Sequence, residues 1–224
     1  MSASSPIQVA VLLSGGLDSS VALRWAQREH RVRLALSFNY GSNHGSHELA
    51  CAGFQAESAG VPHRVIDISS IAQHLDSALL NGAAAIPAEP YNEENMRQTV
   101  VPFRNGIFLA IAAGITESAG CGGIVIAAHS GDHAVYPDCR ESFMQAMEAA
   151  VVAGTHARLH LLRPFIDRDK AAIIRLGVRL GVDFAHTYSC YKGGERHCGV
   201  CATCRERKQA FRQAGTADPT SYEA

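Results

Sequence analysis

The apolar stretch IQVAVLL (7–13) runs straight into SGGLDSS (14–20), and a helix-like segment follows over 18–29. A strand that reads as one apolar run is buried on both faces, the environment of a parallel sheet covered by helices. Parallel neighbours cannot be joined by a tight hairpin. Each connection needs a crossover of a dozen or more residues, usually a helix. The rest of the first half obeys that requirement: RVRLALSFNY (31–40) predicts a second strand, 46–58 a second helix ended by Gly60, and HRVIDI (63–68) a third strand. This alternation predicts an α/β fold built on a doubly wound, mostly parallel sheet.

The segment 81–101, rich in Ala, Pro, Asn and Glu, breaks the rhythm and is expected to form a lid or a dimer-contact loop. Helix is expected again at 104–118, strand at 123–128, the loop HSGDHAVYPDCR at 129–140 and helix at 141–152. A short strand at 159–162 and a helix at 167–180, stopped by Gly181, complete the pattern. A net charge of −1 gives no general attraction for nucleic acid. The apolar runs fall short of the roughly 20 residues a membrane helix needs. The opening MSASSPIQ has neither a basic n-region nor an apolar h-region, so a cytoplasmic protein is expected.

Ligands of an open α/β sheet bind beyond the carboxyl ends of its strands. A glycine turn there aims backbone N–H groups and the positive end of a helix at an anion. Gly15 and Gly16 would let the backbone approach phosphate, and Ser14, Ser19 and Ser20 would add hydroxyls. Asp18, a carboxylate so close to phosphates, implies an intervening Mg²⁺. The Walker pattern is missing, and lysine occurs only at Lys170, Lys192 and Lys208. S-G-G-x-D-S after a first strand resembles instead the pyrophosphate loop of the ATP-pyrophosphatase superfamily, which holds the β,γ-pyrophosphate as a leaving group during adenylation. A plain glycine turn closing a strand–helix unit is the alternative.

CYKGGERHCGVCATC places Cys190, Cys198, Cys201 and Cys204 at C-x7-C-x2-C-x2-C spacing. In a cytosolic protein such clustering indicates metal binding rather than cross-linking. Four thiolates complete a closed tetrahedral shell around zinc, with Gly199 supplying the tight turn. The rivals are a four-sulfur iron–sulfur cluster and a set in which His197 or His186 is a ligand. The expected organisation is a nucleotide-binding α/β domain over 1–185 and a zinc-binding four-cysteine tail over 186–224.

These features, taken with VVPFRNGIFLAIAAG (100–114), GDHAVYPDCR (131–140) and TYSCYKGG (187–194), resemble the 7-cyano-7-deazaguanine synthase family from about residue 8 to 213. The resemblance implies an adenine nucleotide alpha-hydrolase-like fold and ATP held by Leu13, Ser14, Gly15, Gly16, Leu17, Asp18, Ser19, Ser20, Val21, Ala22 and Leu23. It implies 7-carboxy-7-deazaguanine and ammonia as the other substrates, Mg²⁺ and Zn²⁺ as metals, and a homodimer without membrane or nucleic-acid partners. The carboxylate would be adenylated and captured by ammonia, and the resulting amide adenylated again to leave the nitrile.

Arg104 and Asn105, at a helix start after Pro102, are expected to meet an anionic substrate. Asp132, Asp138 and Arg140 occupy a strand-following loop; Asp138 is expected at the purine edge and Arg140 as a planar fork on the carboxylate. Lys170 is expected to neutralise phosphate, His129 and His133 to relay protons, Cys139 to pack, and Lys192 to reach the site from the tail. YGSNHGSHE (40–48) departs from the Y-G-Q-x-H of many members and puts substrate contacts on that side in doubt. A paralogue delivering the carboxylate to an amine of a macromolecule, or a tRNA-thiolating enzyme, are the alternative functions.

Overall fold

The computed structural model describes residues 5–80, 98–129 and 136–223. β1 (Gln8–Leu12) lies at the centre of a five-stranded sheet, flanked by β2 (Arg31–Asn39) and β4 (Gly123–Val125), with β3 (His63–Asp67) and β5 (His160–Leu162) outermost. All four pairings are parallel. The chain walks outward from β1 to β3, returns across β1, and continues through β4 to β5. Strand order therefore reverses between β1 and β4, and a crevice opens beyond their carboxyl ends.

Helices α1 (Leu17–Glu29), α2 (Gly45–Ser58), α3 (Arg104–Ser118) and α4 (Glu141–Gly154) lie in the four crossovers, α5 (Lys170–Arg179) follows the last strand, and α6 (Ala202–Ala214) comes after it. Successive residues of a strand point to opposite faces, and β1 accordingly feeds two cores. Val9 and Val11 pack with Val21, Leu23, Ile173, Ile174 and Phe165 on one face. Ala10 packs on the other with Leu36, Leu109, Ile124, Met144 and Leu161. This is why the strand reads as one apolar run.

The elements expected from the sequence form within a few residues of their expected limits, and each shift has a local cause. α5 begins at Lys170 rather than 167 because Asp169 is its N-cap, accepting a hydrogen bond from the Ala172 N–H at 2.6 Å. The strand expected at 123–128 is regular only to Val125, although the Ile126 N–H still donates to the Leu162 carbonyl at 2.9 Å. The segment 81–101, expected as a lid or dimer contact, lies outside the described residues except for its last four.

α6 has no counterpart among the expected elements. Ala210 and Phe211 share the core of α1 and α5, and the Phe211 ring meets Phe184 edge-on at 5.3 Å between centroids. The segment that carries the cysteines is thus seated on the α/β core through apolar contacts of its own.

Candidate active site

The two glycines of the loop serve different ends. Gly15 sits at φ +83, and a Cβ there would lie 2.0 Å from the Glu48 carbonyl oxygen and 2.7 Å from the Ala52 nitrogen. The backbone of α2 crosses directly against it, so only glycine fits. Gly16 is the N-cap of α1 and has more room, its nearest neighbours being the Ser14 hydroxyl and the Tyr188 carbonyl. The hydroxyls hold the loop in shape. Ser14 and Ser19 Oγ lie 2.9 Å apart, the Gly16 N–H donates to Ser14 Oγ, and Ser20 Oγ donates back to the Gly16 carbonyl at 2.8 Å.

A cavity of about 670 Å³ opens over this loop, within the usual range for a small-molecule site. Leu13, Ser14, Gly16, Leu17, Asp18 and Ser19 line it. Val21, Ala22 and Leu23 do not: they are fully buried in the core, where they seat α1 on the sheet. Gly15 and Ser20 act behind the wall through the contacts just described.

Charge gathers at the loop end of the cavity. The Asp18 carboxylate lies 3.6 Å from His129 Nε2 and 3.8 Å from Lys170 Nζ. Burial would raise its pKa, but Lys170 and His129 outweigh that and hold it near about 2. Asp18 is therefore ionised at any physiological pH, and its buried Oδ1 has no hydrogen-bond partner among the described residues. An ionised carboxylate with an unused buried oxygen fits a hard cation. Lys170 also donates to Glu206 of α6 at 2.7 Å.

The far end is aromatic and cationic. Arg104 donates to the Tyr40 hydroxyl at 3.4 Å and lies 5.8 Å from that ring's centroid. Phe108 meets Tyr40 edge-on at 5.4 Å and stacks on Phe38 at 4.4 Å. Asn105, also in the wall, donates its side-chain amide to the Asp138 carbonyl and to Cys139 Sγ, both at 3.2 Å.

Asp138 itself is buried and does not line the cavity. Its carboxylate accepts from the Asn105 N–H at 2.8 Å, satisfying a free donor at the first turn of α3. Arg140 is exposed, outside the wall, at the N-cap of α4. Lys192 is likewise exposed and outside it. Asp132 and His133 lie outside the described residues. The fold thus brings Asp18, Arg104, Asn105 and Lys170 to one cavity and leaves Asp138 and Arg140 behind or beside it.

Three parts of the wall supply residues that were not named among the expected site residues. Tyr40, His44 and Glu48 descend from the end of β2 into α2; Tyr188, Ser189 and Tyr191 come from the chain before the cysteines; Thr203, Glu206 and Arg207 come from α6. The usable signal was position: Tyr40 directly follows the end of β2, and ligands of such a sheet bind beyond the carboxyl ends of its strands. Burial pushes Glu48 up to about 7, against the pull of Arg104, and lowers His44 to about 4.

The four cysteines form a separate buried centre. Their sulfurs all lie within 4.8 Å of one another, Cys198 and Cys204 being 4.0 Å apart. A tetrahedral ion with ~2.3 Å sulfur bonds would set those edges near ~3.8 Å, so the set fits a closed metal shell. Gly199 takes the left-handed turn at φ +72. His197 is not in the set: its Nε2 accepts from the Ser189 N–H at 2.9 Å. His186 pairs with Asp183 at 2.8 Å and stacks on Phe54. None of the seven cysteines forms a disulfide.

Comparison with known proteins gives one consistent family. Residues 8–215 match the family model described as queuosine biosynthesis protein QueC. The 7-cyano-7-deazaguanine synthase of Porphyromonas gingivalis is 52% identical over 95% of this chain and 96% of its own. The proteins of that name from Desulfotalea psychrophila and Rhizobium etli are 47% and 45% identical, covering 95% and 97% of this chain and 97% and 92% of their own. Among solved structures, an NMN synthetase from Francisella tularensis aligns with a TM-score of 0.53 at 13% identity, over 95% of this chain and 79% of that one, which is a likeness of fold.

Proposed function

The chain belongs to the QueC family of queuosine biosynthesis proteins, and we propose on that premise that it is an ATP-dependent 7-cyano-7-deazaguanine synthase. The observation that carries the reading is a cavity that has the serine–glycine loop, Asp18 and Lys170 at one end and Arg104 among aromatic rings at the other. A nucleotide and a flat anionic heterocycle can lie there with the carboxylate directed at the α-phosphorus.

The chemistry balances over two adenylations. A carboxylate oxygen of 7-carboxy-7-deazaguanine attacks the α-phosphorus of ATP and pyrophosphate leaves. Ammonia attacks the acyl carbon, AMP leaves, and the amide forms as one proton is lost. The amide oxygen then attacks a second ATP, and removal of the remaining N–H protons with departure of AMP leaves the nitrile. N–H groups of the loop and the start of α1 meet the pyrophosphate, and Lys170 neutralises it. Arg104 orients the substrate carboxylate.

Asp18 would hold magnesium, which would supply positive charge to the leaving pyrophosphate. Cys190, Cys198, Cys201 and Cys204 would hold zinc with no open position, a structural rather than catalytic ion. We take the enzyme to be a cytoplasmic homodimer, as the family resemblance implies. Among the described residues no helix is long and apolar enough to cross a membrane.

The test is a product assay. Enzyme, ATP, Mg²⁺, 7-carboxy-7-deazaguanine and ammonium should yield the nitrile by mass spectrometry, with pyrophosphate and AMP in twofold excess over it. Release of pyrophosphate without amide or nitrile would point to delivery of the activated carboxylate to a macromolecular amine. No carboxylate-dependent pyrophosphate at all would sink the reading. Arg104→Lys should raise the KM for the carboxylate by about 10- to 100-fold, because an ammonium loses the planar two-donor geometry worth about 1.5–3 kcal/mol. The KM for ATP should move far less. Equal changes for both ligands would place Arg104 on the nucleotide.

A further inference from the structure

The reaction strips nitrogen of three protons at the same carbon, one in forming the amide and two in forming the nitrile, and the one carboxylate of the loop, Asp18, is paired with Lys170 and His129 and too acidic to accept them. The geometry points to Glu48 as the catalytic base that takes two of these protons, first from the attacking ammonia and then from the activated amide. This assignment rests on the functional reading above.

Glu48 stands in the first turn of α2 and lines the cavity beside Arg104, which enters the same wall from α3. Among the described residues it has no lysine or arginine in salt-bridge contact. It pairs instead with His44, 3.6 Å away between Nε2 and Oε2. The other wall carboxylates are committed: Asp18 to Lys170 and His129, Glu206 to Lys170. His44 is almost wholly buried, and its Nδ1 has no hydrogen-bond partner among the described residues, so this wall holds unused polar capacity. Arg104 acts electrostatically on Glu48 across this wall, so a substrate carboxylate held by Arg104 would be bound on the side of the cavity that Glu48 faces.

Basicity separates the candidates. The groups that bear on Glu48 are Arg104 from α3, Tyr40 from the end of β2, and His44 and Cys51 from α2. Burial raises the Tyr40 hydroxyl and the Cys51 thiol, so both keep their protons. His44, lowered by burial to about 4, is too weak a base to hold one at neutral pH. Glu48, raised by burial to about 7, exchanges its proton in the working range, where general-base catalysis is most effective. In the first step Glu48 takes one N–H proton as AMP leaves and the amide forms. In the second the adenylated amide loses one N–H proton to water, giving the neutral imidate, and Glu48 takes the last N–H proton as the C≡N bond forms and AMP leaves again. Water resets it between steps.

The experiment compares the parent with Glu48→Gln and Glu48→Asp in three assays: carboxylate-dependent ATP–pyrophosphate exchange, amide formation from ammonium, and nitrile formation from supplied 7-amido-7-deazaguanine. Glu48→Gln should slow the two nitrogen steps by about 100-fold or more, at least ten times its effect on exchange, and Glu48→Asp should recover part of the loss. In the parent, amide formation expressed per free ammonia should rise with pH through about 7 and then level. That rise reflects ionisation of the base and should be absent in Glu48→Gln. Equal losses in exchange and nitrogen capture, or a flat parent profile, would overturn the assignment. The parent profile decides the matter even if the variants fold poorly. No exchange in the parent would overturn the functional reading itself, and this one with it.

Discussion

Arg207→Met should cost about 3 kcal/mol of stability and loosen one wall of the active site. Arg207 is 1% exposed, and all of its nitrogens are used. Nε donates to Asp218 at 3.2 Å, one terminal nitrogen to the Thr187 and Ser189 hydroxyls at 2.8 and 3.1 Å, and the other to the Phe184 carbonyl at 2.9 Å. The guanidinium also lies 5.2 Å from the Phe211 centroid. Methionine matches the volume but leaves a partly buried carboxylate without its cation, a change that costs about 3–5 kcal/mol. The lower end applies here, because Asp218 keeps the Tyr222 hydroxyl and the Thr220 N–H, and the Phe184 carbonyl keeps the Thr187 hydroxyl. Urea unfolding measures it: with an m-value of roughly 2 kcal/mol/M the midpoint should fall by about 1.5 M. Asp218→Asn in the same chain should restore part of the loss, since it removes the stranded charge. A loss below about 1 kcal/mol would show that the buried network is not what ties α6 to the segment at 184–189.

That network also marks where reading the sequence ran out. β1 and β2 were legible because burial leaves a continuous apolar run, and α1 because burial on one face leaves an apolar stripe. α6 was not. Its inward positions are Cys204, Arg207, Ala210 and Phe211, so a metal ligand and an arginine occupy two places where an apolar residue would have announced a helix. The cysteine spacing was read as a local knuckle, and the helix that continues from it passed unseen. Only the partners Asp218, Thr187 and Ser189 explain an arginine at such a position, and they arrive from other parts of the chain.

The site divides in the same way. Asp18, Arg104, Asn105 and Lys170 sit at helix starts that follow strands or loops, which the topology turns toward one crevice; their placement could be argued from sequence. Asp138 shows the opposite case. A carboxylate in an active-site loop suggested ligand contact, yet it is spent on the open N–H of Asn105 at the mouth of α3. It positions the helix that presents Arg104. Gly15 is similar: a glycine beside a phosphate loop suggested anion approach, whereas the closest intrusion is the backbone of α2 at Glu48 and Ala52. Requirements of this kind depend on which helix packs where, and a local pattern does not contain them.

Cys201→Ala should empty the cysteine centre of metal while leaving a folded protein with little activity. The sulfurs join three pieces of chain: Cys190 beyond the Tyr188–Ser189 wall, Cys198 and Cys201 in the knuckle, and Cys204 in the first turn of α6. A structural zinc contributes on the order of 10 kcal/mol in small peptides, as much as the whole stability of many domains. Here the loss should be smaller, about 3–5 kcal/mol, because Ala210 and Phe211 hold α6 to the main core without the metal. For a chain of this size that lowers Tm by on the order of 10 °C. Activity should fall further than stability suggests. The Tyr188 N–H donates to the Gly15 carbonyl at 3.0 Å, and Tyr188, Ser189 and Tyr191 line the cavity, so releasing Cys190 frees the segment that braces the phosphate loop. We expect at least a tenfold drop in pyrophosphate exchange at a temperature well below the variant's Tm. Elemental analysis should find close to one zinc in the parent and none in the variant. Iron with acid-labile sulfide in anaerobically purified parent would replace zinc by a cluster, zinc retained in Cys201→Ala would break the four-thiolate assignment, and full activity without metal would show that the phosphate loop holds its shape without the tail.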